Sequence, residues 1–130
     1  MTLQEAKNFF YNDVYAMQTT GIELLDIGEC YSKVTLKLSS KHNNAVGKVM
    51  GGVFFTLADF AFAVATNSSE KWTVTTNSQI NYLSQVKGDA LFAECKKIKE
   101  GKNLCTYEIL IKDNLDNDVA LVITNGMHLS

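Results

Sequence analysis

The sequence contains no proline and no arginine, and only two of its 130 residues are histidines, His42 and His128. Because arginine is absent, all twelve basic side chains are lysines, and fourteen acidic residues bring the formal net charge to −2. Lysines spread from Lys7 to Lys112 create no concentrated positive field, so we expect no nucleic-acid partner. The absence of proline favours long, uninterrupted strand pairing.

The scarcity of histidine and the absence of paired cysteines restrict the kinds of functional site and the cellular compartment that we expect. Neither histidine has the spacing of a metal ligand, so the sequence predicts no metal site and gives no support for a Ser-His or Cys-His nucleophile. Cys30, Cys95 and Cys105 are odd in number and widely spaced, with no C-x-x-C pair and no secretory signal, which predicts a reducing, cytoplasmic location. Apolar runs stay below the ~20 residues of a membrane helix, so we expect no membrane partner.

The composition is otherwise that of a globular protein, with 46% hydrophobic and 20% charged residues. A chain of this length predicts one domain, residues 1–130. Thr2 and Glu5 have the spacing of a capping box, and apolar residues follow at helical intervals to Met17, which predicts one amphipathic helix that ends at Gly21. Strict alternation from Ser32 to Leu38 predicts a half-buried strand.

One apolar segment organises the sequence. From Val53 to Ala65 nearly every position is apolar, which predicts a helix buried on most sides. Asp59 interrupts it, and a carboxylate in such surroundings must be paired, solvated through a cleft or shifted in pKa. Gly51 and Gly52 precede it, and the free N–H groups of a helix start can bind an oxyanion. Together they predict an oxyanion site and a base in one cleft; a tight helix entry and an exposed aspartate are the alternative.

The remainder of the chain has the character of strands. Trp72 to Ser84 alternates polar residues with β-branched and aromatic ones, which predicts a strand whose polar face carries Thr75 and Asn77. Three further strands joined by short turns follow, between Ala90 and His128. This order predicts an α+β fold in which an antiparallel sheet is wrapped around a long central helix. An exposed edge would be unsafe in such a sheet, so we expect pairing across a homodimer.

A string of residues points to a family. The chain contains Asn44-Ala-Val-Gly47-x-x-x-Gly51-Gly52-x-x-x-x-Leu57-x-Asp59, followed by Ile80-Asn-Tyr-Leu83, Gly88-Asp89 and Gly101-Lys102. From about residue 20 to its end, it resembles the hotdog-fold thioesterases of the PaaI-like group, which hydrolyse acyl-coenzyme A. The resemblance implies a hotdog fold, an acyl-CoA substrate, no cofactor apart from the coenzyme A of that substrate, and a homodimer or dimer-of-dimers tetramer.

The resemblance also implies roles for residues near the central helix. Asp59 matches the aspartate that acts as general base or nucleophile towards the thioester. Gly51 matches the residue whose backbone N–H binds the thioester carbonyl. Asn44 matches an asparagine that orients the carboxylate or the attacking water, although a local turn is its alternative role. Thr75 matches a hydroxyl contributed across the dimer.

Coenzyme A carries phosphates, and the lysine-rich turn around Gly101 is the predicted place for them. Lys99 and Lys102 are the predicted contacts, and without arginine such contacts would be salt-sensitive point charges. Solvated surface lysines are the alternative.

Met50 occupies the position of the family's histidine, which removes any hydrogen bond from an imidazole but leaves the backbone N–H of Gly51. This departure keeps open a second function, a non-catalytic acyl-CoA or acyl-carrier binding module. A hotdog dehydratase is a further alternative, although neither histidine is near Asp59 in sequence. The acyl group is also open, since the phenylalanines around Asp59 either line a pocket or belong to the core.

Overall fold

The computed structural model describes residues 1–68 and 71–129, and within them six strands form one antiparallel sheet beside a long helix. The strands are β1 (Glu23–Gly28), β2 (Tyr31–Lys37), β3 (Thr73–Tyr82), β4 (Ala90–Glu100), β5 (Leu104–Asp113) and β6 (Asp118–His128). Their order in the sheet is β1-β2-β4-β5-β6-β3. The helices are α1 (Leu3–Phe10) and α2 (Gly51–Asn67), with a π-helical segment at Val14–Thr20 and a 3₁₀ turn at Ser40–His42. None of the helices in these ranges is long and apolar enough to cross a membrane.

Helix α2 packs against the inner face of the sheet because it is apolar nearly all round. Leu57, Ala61 and Val64 of α2 are fully buried, and so is Val34 of the facing strand β2. The Ser32 hydroxyl of β2 donates a hydrogen bond to the Ala61 carbonyl at 2.6 Å, which ties the middle of the helix to the sheet. The predicted α+β fold, with an antiparallel sheet around a buried central helix, is confirmed.

The N-terminal segment is divided, whereas the sequence predicted one helix. The capping box at Thr2 is present, but α1 ends at Phe10. The Asn12 side-chain amide donates to the Phe9 carbonyl at 2.9 Å, and such local side-chain bonds compete with continuation of a helix. The chain resumes as the π-helical segment and stops at Gly21, whose φ of 93° supplies the left-handed C-terminal residue. The predicted end is confirmed, but the prediction of one continuous helix is wrong.

Strand β3 lies at one edge of the sheet and is hydrogen-bonded only to β6 among the described strands. A β-bulge between Thr75 and Asn77 places the extra residue Thr76 in this strand and reverses the alternation beyond it. Thr75 and Ser78 therefore both face α2, and Asn77 is turned to the other side, towards Asn125. The prediction that Thr75 and Asn77 share one polar face is wrong, because a strand with a bulge does not keep a strict two-residue period.

Candidate active site

Asp59 lies near the middle of α2, on the side of the helix that faces β3. It lines a cavity of about 400 Å³ together with Phe55 and Phe60. The Thr75 hydroxyl donates to Asp59 Oδ1 at 3.5 Å, which is a long and weak hydrogen bond. Although solvent reaches the carboxylate, partial desolvation by its neighbours raises the pKa of Asp59; the Thr75 hydroxyl opposes this shift and the charge of Asp13 adds to it.

Within the described residues, no lysine or histidine forms an ion pair with Asp59. The carboxylate thus combines a raised pKa, solvent access and spare acceptor capacity, which are the properties of a general base. Thr75 reaches Asp59 of its own chain, whereas the resemblance implied a hydroxyl from across a dimer. Thr75 follows the buried Thr73 at the ordinary two-residue period of a strand, so it faces α2 before the bulge is reached.

Gly51 is the first residue of α2 and follows Met50, whose backbone is extended (φ −63°, ψ 136°). The Val53 N–H bonds to the Met50 carbonyl at 3.0 Å, whereas the N–H groups of Gly51 and Gly52 have no backbone acceptor in the part of the chain described. Free N–H groups at the positive end of a helix can receive an oxyanion. The Met50 side chain is exposed and its methyl group lies over Gly52, 2.9 Å from where a Cβ on that residue would be.

Tyr82, at the end of β3, holds the start of α2 in place. Its hydroxyl donates to the Gly51 carbonyl at 2.9 Å, and a Cβ at position 51 would lie 2.9 Å from the same hydroxyl. Glycine at position 51 therefore accommodates this close approach of the Tyr82 hydroxyl without a clash. Sequence reasoning included Tyr82 only as part of the Ile80-Asn-Tyr-Leu83 string and gave it no role. Asp13 was missed too, since an acidic residue near a helix start is ordinarily a surface residue.

Gly51 and Asp59 line different cavities of the single chain. Gly51 borders a cavity of about 730 Å³ with Phe54 and Tyr82, and Asp59 borders the smaller one. The two residues are eight positions apart on one α-helix, about 12 Å along its axis. One thioester carbonyl cannot contact both groups across that distance, so a single chain does not form the predicted cleft that holds both.

Asn44 serves its own loop. Its side-chain oxygen accepts the N–H groups of Val46 at 3.1 Å and Lys48 at 3.0 Å. Among the described residues it has no hydrogen bond with Asp59, so the single chain shows the local-turn role that was the alternative from sequence.

The predicted coenzyme A residues lie at the opposite end of α2 from Gly51. Lys99 is exposed on β4, and Gly101 and Lys102 follow in the β4–β5 turn. Gly101 borders a cavity with Thr66, in the last turn of α2, and that helix is about 25 Å long. A single chain therefore does not bring these residues together with Gly51.

A sheet wrapped around a central helix, with a glycine pair at the helix start and an aspartate two turns further on, defines a hotdog-fold protein. The model of the thioesterase superfamily matches residues 46–120. The chain belongs to this family and is an enzyme of the PaaI-like thioesterase group, as the sequence predicted.

Three similar proteins illustrate the extent of the likeness. The acyl-coenzyme A thioesterase PaaI of Escherichia coli is 32% identical over 119 residues, 91% of this chain and 84% of that protein. The solved structure of E. coli PaaI matches with a TM-score of 0.90 and 26% identity, covering 98% of this chain and 94% of that one. A putative esterase of Archaeoglobus fulgidus is 30% identical over 120 residues, 92% of this chain and 78% of that protein. A hypothetical thioesterase of Streptococcus pneumoniae, solved with coenzyme A, shares the fold at a TM-score of 0.85 and 22% identity, covering 93% of this chain and 97% of that one.

Proposed function

We propose that the protein hydrolyses an acyl-CoA thioester to a free acid and coenzyme A, with Asp59 as the general base. The observation that carries the proposal is the state of Asp59, a solvent-reached carboxylate with a raised pKa and one weak hydrogen bond. The name of E. coli PaaI and the coenzyme A in the S. pneumoniae structure support this substrate class.

The chemistry needs few groups. Asp59 takes a proton from water as the water oxygen bonds to the thioester carbonyl carbon, and the carbonyl oxygen becomes an oxyanion that accepts the Gly51 N–H. The tetrahedral intermediate then collapses, the C–S bond breaks and the thiolate leaves. A thiol has an ordinary pKa of about 8.5, so its thiolate leaves without a strong acid. The proton held by Asp59 passes to the thiolate or to solvent, and no cofactor is needed.

The base and the oxyanion donor acting on one carbonyl would come from two copies of the chain. This follows from the separation of about 12 Å between Gly51 and Asp59 on one helix. Strand β3 is suited to form the contact between the two copies, since it is ten residues long, lies at the sheet edge and runs beside Asp59. Two-fold pairing of β3 strands would set the two α2 helices antiparallel, with Gly51 of one copy towards Asp59 of the other. A homodimer, or a tetramer of two such dimers, is part of the proposal.

In a dimer, the lysine-rich turn of one copy could serve the other copy's site, which is why Lys99 and Lys102 stay in the proposal as phosphate contacts. Replacing both with methionine should raise KM for an acyl-CoA, and raising the salt concentration should abolish the difference. KM for the matching acyl-pantetheine, which lacks the nucleotide phosphates, should be unchanged. The free thiols of Cys30, Cys95 and Cys105 favour a reducing cytoplasm as the compartment.

The test is thiol release from a panel of short, medium, long-chain and phenylacetyl acyl-CoAs by wild type and Asp59→Ala. Turnover that is lost in the variant supports the proposal and names the preferred acyl group. Saturable binding without turnover in both proteins would favour a binding module, for which the exposed Met50 in place of histidine is the motivating feature. Turnover that survives in Asp59→Ala would refute the assigned base.

A further inference from the structure

A second cluster of chemically active side chains lies near the C-terminal end of α2. Glu100, Cys105 and His128 come from the three consecutive strands β4, β5 and β6, and their potential ligand atoms all lie within 4.8 Å of one another. Glu100 is paired directly with Cys105 across the sheet. A bulge in β4 between Lys97 and Lys99 changes the side of the sheet that Glu100 faces, so that it joins the inward-facing Cys105.

Two outer groups hold the cluster in place. The Tyr107 hydroxyl donates to Glu100 Oε2 at 2.6 Å, and Thr73 Oγ1 lies 2.7 Å from His128 Nδ1. The other ring nitrogen, Nε2, is hydrogen-bonded to Glu100 Oε1. In metal sites, the ligating histidine ordinarily donates its second N–H to an outer oxygen, and the ligating carboxylate is itself hydrogen-bonded. Thr73 and Tyr107 occupy those two outer positions here.

The cluster also has room beside it. A cavity of about 500 Å³ is bordered by Glu100 and His128, with Tyr107, Cys30 and Lys71 on its wall. A thiolate, an imidazole and a carboxylate are all zinc ligands, and three protein ligands are the usual number in zinc sites that keep one position open. A thiolate and a carboxylate together also neutralise a divalent ion.

We propose that Glu100, Cys105 and His128 bind one divalent transition-metal ion of the zinc class, with the open coordination position facing this cavity. A Glu100 oxygen, Cys105 Sγ and His128 Nε2 are the ligands, and His128 Nδ1–H donates to Thr73. Binding replaces the S–H bond of Cys105 with a sulfur–metal bond and releases one proton to solvent. The site is separate from Asp59 and independent of the proposed hydrolysis.

The sequence alone predicted no metal site because it showed no ligand spacing. Residues 100, 105 and 128 are brought together by the register of three strands and by the β4 bulge, neither of which can be read from the spacing of histidines and cysteines. The alternative is that Glu100 and His128 form a hydrogen-bonded pair and that the cluster binds no metal.

The test is titration of the full-length, reduced and metal-stripped protein with Co²⁺, followed by the thiolate-to-cobalt charge-transfer absorption, with Zn²⁺ as competitor. We expect one ion per chain, and a band that disappears in Cys105→Ala but persists in the matched control Cys95→Ala, another buried cysteine of the same sheet. Thr73→Val should weaken binding roughly 10- to 100-fold, as loss of an outer hydrogen bond does elsewhere.

The same titration decides against the site in three ways. Absence of a band in folded wild type, persistence of the band in Cys105→Ala, or its equal loss in Cys95→Ala would each overturn the assignment. If Cys105→Ala does not fold, His128→Gln replaces it, and unchanged Co²⁺ affinity in that variant would overturn the proposal as well. Asp59→Ala should bind Co²⁺ like wild type, which separates this inference from the proposed hydrolysis.

Discussion

Asp59 and Asp113 are both aspartates beside the core, and their surroundings differ in every respect that sets the behaviour of a carboxylate. Asp113 is 2% exposed and accepts N–H groups from Lys87 at 2.9 Å, Leu115 at 2.9 Å and Asn117 at 3.0 Å. Burial alone would raise the pKa of Asp113, but these hydrogen bonds outweigh it and hold the pKa well below its usual range. Asp59 is exposed, has one long bond to a hydroxyl, and has a raised pKa.

The difference separates a carboxylate whose acceptors are used within the fold from one whose acceptors are left for solvent. Asp113 closes the β5–β6 loop and pins the chain just before β4, and all its partners lie within the chain. Asp59 lacks such partners, so its acceptor capacity remains for water and its raised pKa makes it the stronger base. Its proposed reaction partner, the Gly51 N–H, lies on another copy.

The largest expected effect is on hydrolysis. Asp59→Ala should lower kcat for the best acyl-CoA by about 10²- to 10⁴-fold, the usual contribution of a general base. Its free energy of unfolding should change by no more than ~0.5 kcal/mol, because the side chain is exposed and weakly bonded. Steady-state thiol release and urea denaturation measure the two quantities. A loss of stability comparable to the loss of rate would show that Asp59 is structural like Asp113.

Asp113→Ala should show the reverse pattern. Several N–H groups that surround the buried carboxylate lose their acceptor, so we expect a loss of roughly 3 kcal/mol in the free energy of unfolding. Asp118→Ala is the matched control, since Asp118 is exposed and forms a surface ion pair with Lys112 at 3.3 Å, which is worth at most ~1 kcal/mol. Urea denaturation compares the two, and equal losses would contradict the structural role of Asp113.

The pH dependence of stability should also follow Asp113. Because its pKa is lower in the folded than in the unfolded chain, ionised Asp113 stabilises the fold above the ordinary aspartate pKa of about 3.9, and this stability is lost as the pH falls below that value. The difference in unfolding free energy between wild type and Asp113→Asn should therefore be full near neutrality and shrink under acid. If this difference did not depend on pH, the negative charge of Asp113 would not be what stabilises the loop.

The smallest effects concern the pH profile of kcat/KM. The acid limb of this profile, its low-pH side, should fall as Asp59 becomes protonated. Thr75→Val removes the hydrogen bond that lowers the pKa of Asp59, so its acid limb should move to higher pH. Asp13→Asn removes a neighbouring negative charge, so its acid limb should move to lower pH. Shifts in the same direction in both variants would contradict the assignment of this limb to Asp59.

The sequence was sufficient for the fold, and it singled out Asp59 as the candidate base. A helix apolar on all sides demands a sheet around it, and Asp59 stands out because the rest of that segment is apolar. Local exceptions were not predictable from periodicity: Asn12 ends α1 early, and the bulge at Thr76 reverses half of β3. Groups that are brought together by the register of the strands, such as Glu100 and His128, cannot be recognised from their spacing in the sequence.

The separation of Gly51 and Asp59 could have been found from sequence, since eight residues of helix fix it. Treating the two as one cleft ignored that a reacting carbonyl is much smaller than the ~12 Å between them. What the sequence could not supply is the identity of the cavities, because Tyr82 reaches Gly51 from a distant part of the chain.

The shared site can be tested most directly by mixing two inactive variants. One variant is Asp59→Ala, and the other is Gly51→Pro in a Tyr82→Phe background. Proline removes the N–H at the first position of a helix, where it is tolerated after an extended residue. Tyr82→Phe removes the hydroxyl that would lie 2.9 Å from the new Cβ. Each alone should be inactive, and Tyr82→Phe alone should be active. Co-expressed in equal amounts, they should recover about a quarter of wild-type activity, because half of random dimers are mixed and each has one intact site of two. Activity that stays at the level of the single variants would contradict a site built from two chains.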